Sequence, residues 1–268
     1  MRLPGREQST TEPVRVDSPR NRRVVEAVRL HHHRERVEKG RALLEGPTLL
    51  VEAVSAGVKV EVVFASGEDG RSAQIAASAG AELVVVSERV LKHLATTENP
   101  QSPVSVVVVP DTPMPVAGHL LVAWGVGDPG NVGTLIRAAA AFGLGFASGP
   151  GTADPWSPKV LRSGAGGHFR SGVVAVETLD RLRAGGRVLV ASLVSGGMPP
   201  MLLPSSRSLA ILVGDEASGL PGEVVDACDL AVTVPMPGGT ESLNAAIAGA
   251  IIAYEVAARG AGGVPSGD

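Results

Sequence analysis

Short runs of Val, Leu, Ile and Ala alternate with segments of mixed polarity along most of the chain. In the second half these runs are bounded by Gly, Pro or Asp, which is typical of strands buried on both faces. The predicted strands there cover 120–124, 173–176, 187–191, 209–213 and 231–234. Segments with apolar residues at helical spacing lie between and after them, notably 132–142 and 242–257. This alternation predicts a mainly parallel sheet with helices on both faces.

The first half repeats the alternation on a smaller scale. The pattern predicts a helix over about 20–44, short helices at 74–79 and 87–94, and strands at 81–86 and 104–109. We expect an α/β domain over 18–109, a proline-stiffened linker over 110–116 and a larger α/β domain over 117–259. Residues 1–17 predict a disordered arm and 260–268 a flexible tail.

Composition narrows the class of protein. The chain is 44% hydrophobic but only 3% aromatic, so its cores are built mainly from aliphatic residues. The single cysteine, Cys228, excludes an intramolecular disulfide, argues against a cysteine zinc site and indicates the cytoplasm. No apolar run reaches the length needed to cross a membrane, and no metal is expected.

Charge is uneven along the chain. The formal net charge is −3, but eight basic residues against four acidic ones between Arg20 and Glu45 leave a local charge of +4. A basic surface of this kind is either a phosphate footprint or a solvated helix face.

Three small-residue loops carry the candidate chemistry, and each follows a predicted buried strand. They are Asp128–Gly133 running on to Arg137, Gly214–Gly219, and Pro235–Met236 running on to Ser242–Asn244. Because ligands bind at the carboxyl ends of parallel strands, the loops predict one site built from three backbone segments.

The first loop also contains a misleading motif. Gly125–Gly130 matches GxGxxG between a strand and a helix, the pattern of dinucleotide-binding folds. The acidic residue required further along is offered only by Asp154, inside a Gly/Pro-rich loop, and Pro129 removes an N–H from the phosphate cradle. A nicotinamide dehydrogenase is therefore not favoured.

Together the loops resemble the signature of the SpoU/TrmH family of RNA ribose 2′-O-methyltransferases. The matching segments are Asp128–Gly143, the Gly-x-Glu-x-x-Gly core within Leu212–Leu220, and Val234–Met236 followed by Glu241–Asn244. Leu44–Gly46 resembles the N-terminal extension of members that act on ribosomal RNA. The resemblance covers 117–258 closely and 20–108 loosely.

The resemblance implies a fold and a cofactor. It implies a knotted (trefoil) C-terminal α/β domain, a ribosomal-protein-like RNA-binding domain before it, and an obligate homodimer whose active site is shared between subunits. It also implies S-adenosyl-L-methionine held mainly by backbone groups. The residues expected at the cofactor are Ser192, Gly214, Gly219, Val234, Met236 and Leu243.

The resemblance also implies the catalytic residues. Arg137 matches the proposed catalytic arginine of the family. A guanidinium holds a phosphate or stabilises an oxyanion more easily than it acts as a base. Whether Arg137 also takes the proton stays open. Asn131 is expected to cap the helix predicted over 132–142, to orient Arg137, or both. Glu216 is expected to anchor its loop or to position the substrate. Ser242 and Asn244 open the last helix and are expected at the active site as well.

The expected substrate is RNA, and its candidate contacts are Arg22, Arg23, Arg162 and Arg170. The N-terminal domain favours 23S ribosomal RNA, with either a housekeeping or an antibiotic-resistance role. Two alternatives remain: a transfer RNA 2′-O-methyltransferase and a non-catalytic RNA-binding relative.

Overall fold

Two β-sheets covered by helices organise the chain in a computed structural model, which describes residues 13–67 and 69–260. The first sheet has the order β1-β4-β3-β5-β2; β1, β4 and β3 are parallel, and β5 is antiparallel to both β3 and β2. Its strands are β1 (Val14–Val16), β2 (Arg41–Glu45), β3 (Val60–Ser66), β4 (Glu82–Val86) and β5 (Val104–Val108). Its helices are α1 (Arg22–Arg29), α2 (His33–Lys39), α3 (Pro47–Ser55), α4 (Gly70–Ala79) and α5 (Glu88–Leu94).

Two expectations for this half were wrong. The single helix expected over 20–44 is two short helices followed by strand β2, because Gly40 ends α2 in the left-handed conformation (φ 59°) that glycine adopts without strain. The arm expected to be disordered over 1–17 contains β1, which pairs with β4 from Val14 to Val16. Residues 1–12 of that arm and 261–268 of the expected tail lie outside the described residues.

The second sheet is parallel at every recorded pairing, in the order β11-β9-β10-β6-β7-β8. Its strands are β6 (Leu120–Ala123), β7 (Gly145–Ser148), β8 (Val173–Ala175), β9 (Val188–Ser192), β10 (Leu209–Val213) and β11 (Leu230–Val232). Its helices are α6 (Pro129–Ala141), α7 (Pro158–Gly164), α8 (Gly167–Ser171), α9 (Leu179–Arg183), α10 (Gly222–Asp226) and α11 (Ala245–Gly260), with a 3-10 turn at Pro200–Leu202.

The strand order reverses at the centre of this sheet, where β6 lies beside β10. One hydrophobic core joins α6 and α11 to one face of the sheet, through residues such as Leu135, Ile252 and Val213. A second core, which includes Val122 and Leu212, covers the other face. The loops after β6 and β10 therefore meet at a topological switch point, the usual ligand position in such folds.

The two halves pack against each other. Arg36, only 5% exposed, donates from Nη2 to Asp154 Oδ2 at 2.5 Å, and His33 Nδ1 lies 2.9 Å from the same oxygen. Leu161 is buried in the core cluster of the first half. Because a buried guanidinium with a carboxylate partner is costly to separate, this contact fixes the two halves relative to each other.

The expected linker is held by a buried arginine. Arg187 is 2% exposed and donates to the carbonyl oxygens of Pro115, Ala117, Gly118 and Ala184. Backbone carbonyls thus satisfy the guanidinium, and burial lowers the pKa of Arg187.

Candidate active site

The side chain of Asn244 brings the three loops together. Its Nδ2 donates to Asn131 Oδ1 at 2.9 Å and also to Glu216 Oε1. Three of the five predicted catalytic residues, one from each loop, therefore form a single hydrogen-bonded cluster, here called the Asn244 hub.

Asn244 also begins the last helix. Its Oδ1 accepts from the backbone N–H groups of Ala246 (3.0 Å) and Ile247 (3.1 Å), so it is the N-cap of α11. The helix begins at Ala245 rather than at Ser242 as expected. Ser242 lies exposed in the preceding loop and lines the adjacent pocket.

The expected capping role of Asn131 was wrong. Asp128 caps α6, because its Oδ1 accepts from the backbone N–H of Asn131 at 2.9 Å, and Pro129 occupies the first helical position. Hydrogen bonds from the backbone N–H groups of Asn131 and Gly130, together with the nearby charge of Lys159, lower the pKa of the Asp128 carboxyl. The aspartate before a proline was the sequence signal for this cap. The Asn131 side chain is therefore free to bind Asn244.

The second loop is a tight turn closed on itself. Asp215 N donates to Gly219 O (3.2 Å), and Gly219 N donates to Asp215 O (2.9 Å). A Cβ on Gly214 would overlap the carbonyl carbon of Gly219, and Gly219 has φ 67°, so both positions require glycine for backbone reasons. Asp215 also accepts from Ala217 N (3.0 Å) and Gly127 N (3.5 Å), which lowers its pKa and ties this loop to the first.

A pocket beside the hub gathers all six residues predicted at the cofactor. It opens at the carboxyl ends of β9, β10 and β11. Leu193, Val194 and Ala248 add apolar surface, while Asp215 and Glu216 add carboxylates. The predicted lining residues are Ser192, Gly214, Gly219, Val234, Met236 and Leu243. Such a pocket can enclose a flat aromatic base between aliphatic walls and place negative charge near a cation.

Arg137 does not join the hub. It is exposed on α6, six residues after Asn131, which is about 9 Å along the helix axis. Within the described ranges its guanidinium has no hydrogen-bond or ion-pair partner. Its backbone is packed by α8, since a Cβ on Gly167 would lie 3.0 Å from Arg137 Cα. The orientation of Arg137 by Asn131, one of the two expected roles of Asn131, is not seen.

The four arginines predicted to bind RNA each face a carboxylate. Arg22 pairs with Glu26 at 2.8 Å and Arg23 with Glu82 at 2.8 Å, both on the first domain. Arg162 and Arg170 lie on α7 and α8 at the boundary between the halves. Arg170 pairs with Glu52 at 2.6 Å, and Arg162 lies 3.8 Å from Glu45 and donates to Thr96. Three of these four pairings carry no local sequence signal, because the partners are far apart in the chain.

Neither a metal cluster nor a membrane span is present in the part of the chain that the structure describes. No three His, Cys, Asp or Glu side chains are grouped closely enough to hold a metal ion there. None of the helices described has both the length and the apolarity required to cross a bilayer.

Each half of the chain matches the model of a known protein family. Residues 118–254 match the model of the SpoU rRNA Methylase family, and residues 21–105 match the MRM3-like substrate binding domain. The chain is 33% identical over 245 residues to the 23S rRNA (guanosine(2553)-2′-O)-methyltransferase RlmP of Bacillus subtilis, covering 90% of this chain and 98% of that protein.

Solved structures of methyltransferases resemble the fold of this chain. The SpoU methyltransferase AviRb of Streptomyces viridochromogenes, in complex with AdoMet, superposes with a TM-score of 0.82 at 27% identity, covering 91% of this chain and 100% of that one. An AdoMet-bound rRNA methyltransferase of Sinorhizobium meliloti gives a TM-score of 0.80 at 29% identity, covering 90% and 96%. The mainly parallel α/β fold is thus shared with known methyltransferases, and the chain belongs to the SpoU rRNA methylase family.

Proposed function

We propose that this protein transfers a methyl group from S-adenosyl-L-methionine to a ribose 2′-hydroxyl of 23S ribosomal RNA. The observation that carries the proposal is the Asn244 hub, which joins one residue of each motif beside a pocket lined by all six predicted cofactor residues. Relatives named as 23S rRNA 2′-O-methyltransferases and neighbours bound to AdoMet support the choice of reaction and cofactor.

The lining of the pocket suits this cofactor in polarity and charge. When bound, S-adenosylmethionine supplies an electrophilic methyl group on a positively charged sulfonium. Leu193, Val234 and Leu243 offer aliphatic surface for an adenine ring, and the close-packed turn at Gly214 brings main chain to the pocket wall. The carboxylates of Asp215 and Glu216 provide negative charge for a cation.

The residues of the hub align the two reactants. A ribose hydroxyl is a weak nucleophile at neutral pH, so much of the rate must come from orientation, for which about 7–11 kcal/mol is an upper range. Asn131 and Glu216 are fixed by Asn244, and Ser242 lines the same pocket as Glu216. These side chains position the ribose, while Arg137 holds the RNA phosphate and stabilises negative charge that develops on the oxygen.

A second copy of the chain completes the site in this proposal. Arg137 lies on the surface without a partner among the residues that the structure describes, which suits a contact with RNA or with another subunit. Helix α11 exposes a stripe of Ile247 (50%), Ile251 (36%) and Tyr254 (54%) at helical spacing. Burying this stripe against its own copy would form a homodimer with two shared active sites.

Three further features belong to the proposal. The C-terminal domain over 117–259 forms a trefoil knot, with the segment that includes α11 threaded through a loop to build the cofactor pocket. The first domain, over 18–109, binds RNA through a basic surface that includes Arg22 and Arg23. The protein acts in the cytoplasm, where ribosomal RNA is found.

Methyl transfer can be measured directly with the purified protein and tritiated S-adenosylmethionine, using separate pools of ribosomal and transfer RNA. We expect label in 23S rRNA that maps to a 2′-O-methylated nucleotide. Label only in transfer RNA would replace the proposed substrate, and label in neither pool would indicate a non-catalytic RNA-binding protein.

A further inference from the structure

A cleft between the two domains lies apart from the cofactor pocket. The first domain lines it with Glu45, Thr48, Leu49 and Gln101, and the second with Arg162 and Ala165. None of the residues that line the cofactor pocket lines this cleft. A cleft between two domains that presents a few polar groups is a common position for ligands.

Glu45 presents a fixed hydrogen-bond acceptor in the cleft. Its side chain is only 10% exposed. Oε1 accepts from Thr97 Oγ1 and from the backbone N–H of Gln101. Among the described residues, the one polar partner given for Oε2 is Arg162 Nη1, at 3.8 Å. That distance exceeds a hydrogen bond, so Oε2 keeps its acceptor capacity while the other oxygen holds the carboxylate in place.

Arg162 presents unused donors on the facing wall. Its Nη1 donates to Thr96 Oγ1 at 2.7 Å, and within the described ranges Nε and Nη2 have no hydrogen-bond partner. The guanidinium is partly exposed, with 35% of the side chain accessible. Planar guanidinium donors in such a position suit a phosphate group.

The cleft adjoins the catalytic loops. Arg162 lies on α7, where the neighbouring Ser163 donates from Oγ to the Pro129 carbonyl at 3.2 Å, at the start of α6. Lys159, also on α7, lies 3.6 Å from the α6 cap Asp128. Ala165 ends α7 with φ 46°, a left-handed conformation that alanine rarely adopts, and it lines the cleft. A nucleotide in the cleft would therefore be near the residue methylated at the hub.

We propose that this cleft binds one RNA nucleotide near the methylated one, with its phosphate on Arg162 and a base amino group donating to Glu45 Oε2. The inference rests on the proposed function and adds a base-reading residue to it. Adenine, guanine and cytosine each carry an amino group. Uracil has only one N–H, between two carbonyl oxygens that a carboxylate repels, so the cleft discriminates against uracil.

Substitution of Glu45→Gln tests the base contact, because it exchanges the free acceptor for a donor at constant shape. In the glutamine variant, the side-chain oxygen should take the position of Glu45 Oε1, because Thr97 and the Gln101 N–H donate there. The side-chain nitrogen then takes the position of Oε2 and faces the ligand. The substrates are 23S rRNA fragments around the mapped methylation site, each with one neighbouring nucleotide changed. At one position we expect uracil to lower wild-type kcat/KM about tenfold, and Glu45→Gln to remove or reverse that preference.

The matched control is Glu98→Gln, an exposed glutamate on the same segment as Thr97 that does not line the cleft; it should keep the wild-type preference. Identical preferences for wild type and Glu45→Gln would overturn the base contact. The affinity of each variant for S-adenosylmethionine alone, measured by calorimetry, shows that its catalytic domain is folded.

Arg162→Gln tests the phosphate contact independently. It should weaken RNA binding uniformly across the fragments and lower the slope of log affinity against log salt concentration by about one. An unchanged salt slope would overturn this contact. Absence of methyl transfer by the wild-type protein to any RNA would instead contradict the proposed function itself, so the two failures are distinguishable.

Discussion

At the scale of single residues, Asn244 uses every polar atom of its side chain. Two N–H groups serve Asn131 and Glu216, and the amide oxygen caps α11. An aspartate at this position can still cap the helix, but it places a carboxylate against Glu216 and removes both donors. Asn244→Asp therefore separates the role of the hub from the role of the cap.

We expect Asn244→Asp to lower kcat/KM for methyl transfer about 100-fold through misalignment, with little change in melting temperature. Asn244→Ala is the comparison, since it also removes the cap and should cost about 1 kcal/mol of stability. Steady-state kinetics and thermal melting of both variants check this. Wild-type activity in Asn244→Asp would show that the hub does not align the reactants.

His168 makes stability depend on pH. It is 2% exposed, with Nε2 2.9 Å from the Pro155 carbonyl oxygen and the ring 5.3 Å from that of Trp156. Burial lowers its pKa from 6.5 to about 4, and the Pro155 carbonyl opposes this only in part. The unfolded chain thus binds a proton between these pH values that the folded chain does not, so the free energy of unfolding falls as pH drops through this window.

His168→Gln should flatten this dependence. Between pH 6.5 and pH 4, the slope of unfolding free energy against pH should decrease by up to about 1.4 kcal/mol per pH unit, the value for one proton. Urea unfolding at a series of pH values measures the slope. His32→Gln, at an exposed position, should leave it unchanged; equal slopes for wild type and His168→Gln would contradict the assignment.

At the scale of elements, local patterns predict the strands and helices whose signals lie within the element. Strand β10 is a pure apolar run and lies where the sequence predicts it. Helix α6 was also predicted, but it begins at Pro129, three residues before the expected start, because the Asp128-Pro129 start signal was not used. Strand β2 was missed because Arg41 and Glu45 at its ends look helical beside α2. Its pairing partner β5 lies far along the chain, and such long-range pairing leaves no local signal.

The residues of the candidate site also divide into those with a local sequence signal and those without one. The glycines at 214 and 219 and the small residues around the pocket follow from motif and turn chemistry, and all six predicted residues line it. The ion pair between Arg170 and Glu52 was not predictable, because it depends on how the two halves of the chain pack together. Asp154, not favoured as a nucleotide-binding acid, is instead the carboxylate that receives Arg36 across this boundary.

Helix α11 carries a prediction of its own, because it is apolar on both sides. Ala246, Ile252 and Ala253 are buried in the core, whereas the stripe of Ile247, Ile251 and Tyr254 is exposed. Ile251→Lys should dissociate the proposed dimer into folded monomers, because a charge in an apolar interface is costly. Sedimentation velocity measures the mass; Val116→Lys, at a linker position 83% exposed, should remain dimeric. A dimeric Ile251→Lys would place the interface elsewhere.

At the scale of the whole molecule, the separation of Arg137 from the hub allows the proposed sharing of the active site between two copies to be tested. If Arg137 serves the hub of the partner subunit, inactive chains can rescue each other. Arg137→Ala and Asn244→Asp, each alone, should be nearly inactive. The two variants are co-expressed with different affinity tags, and the mixed dimers are purified through both tags. In such a dimer, one site is intact: its loops come from the Arg137→Ala chain and its arginine from the Asn244→Asp chain.

We expect these mixed dimers to transfer methyl groups at about half the wild-type rate, since one of two symmetric sites is restored. If Arg137 instead served its own chain, each site would contain one substitution and the mixed dimer would be as inactive as its parents. A tagged pair of two Arg137→Ala chains is the control for tag effects and must stay inactive under either arrangement. Tritium transfer to 23S rRNA measures the outcome, and a rate at the background of the parents would exclude an active site shared between subunits.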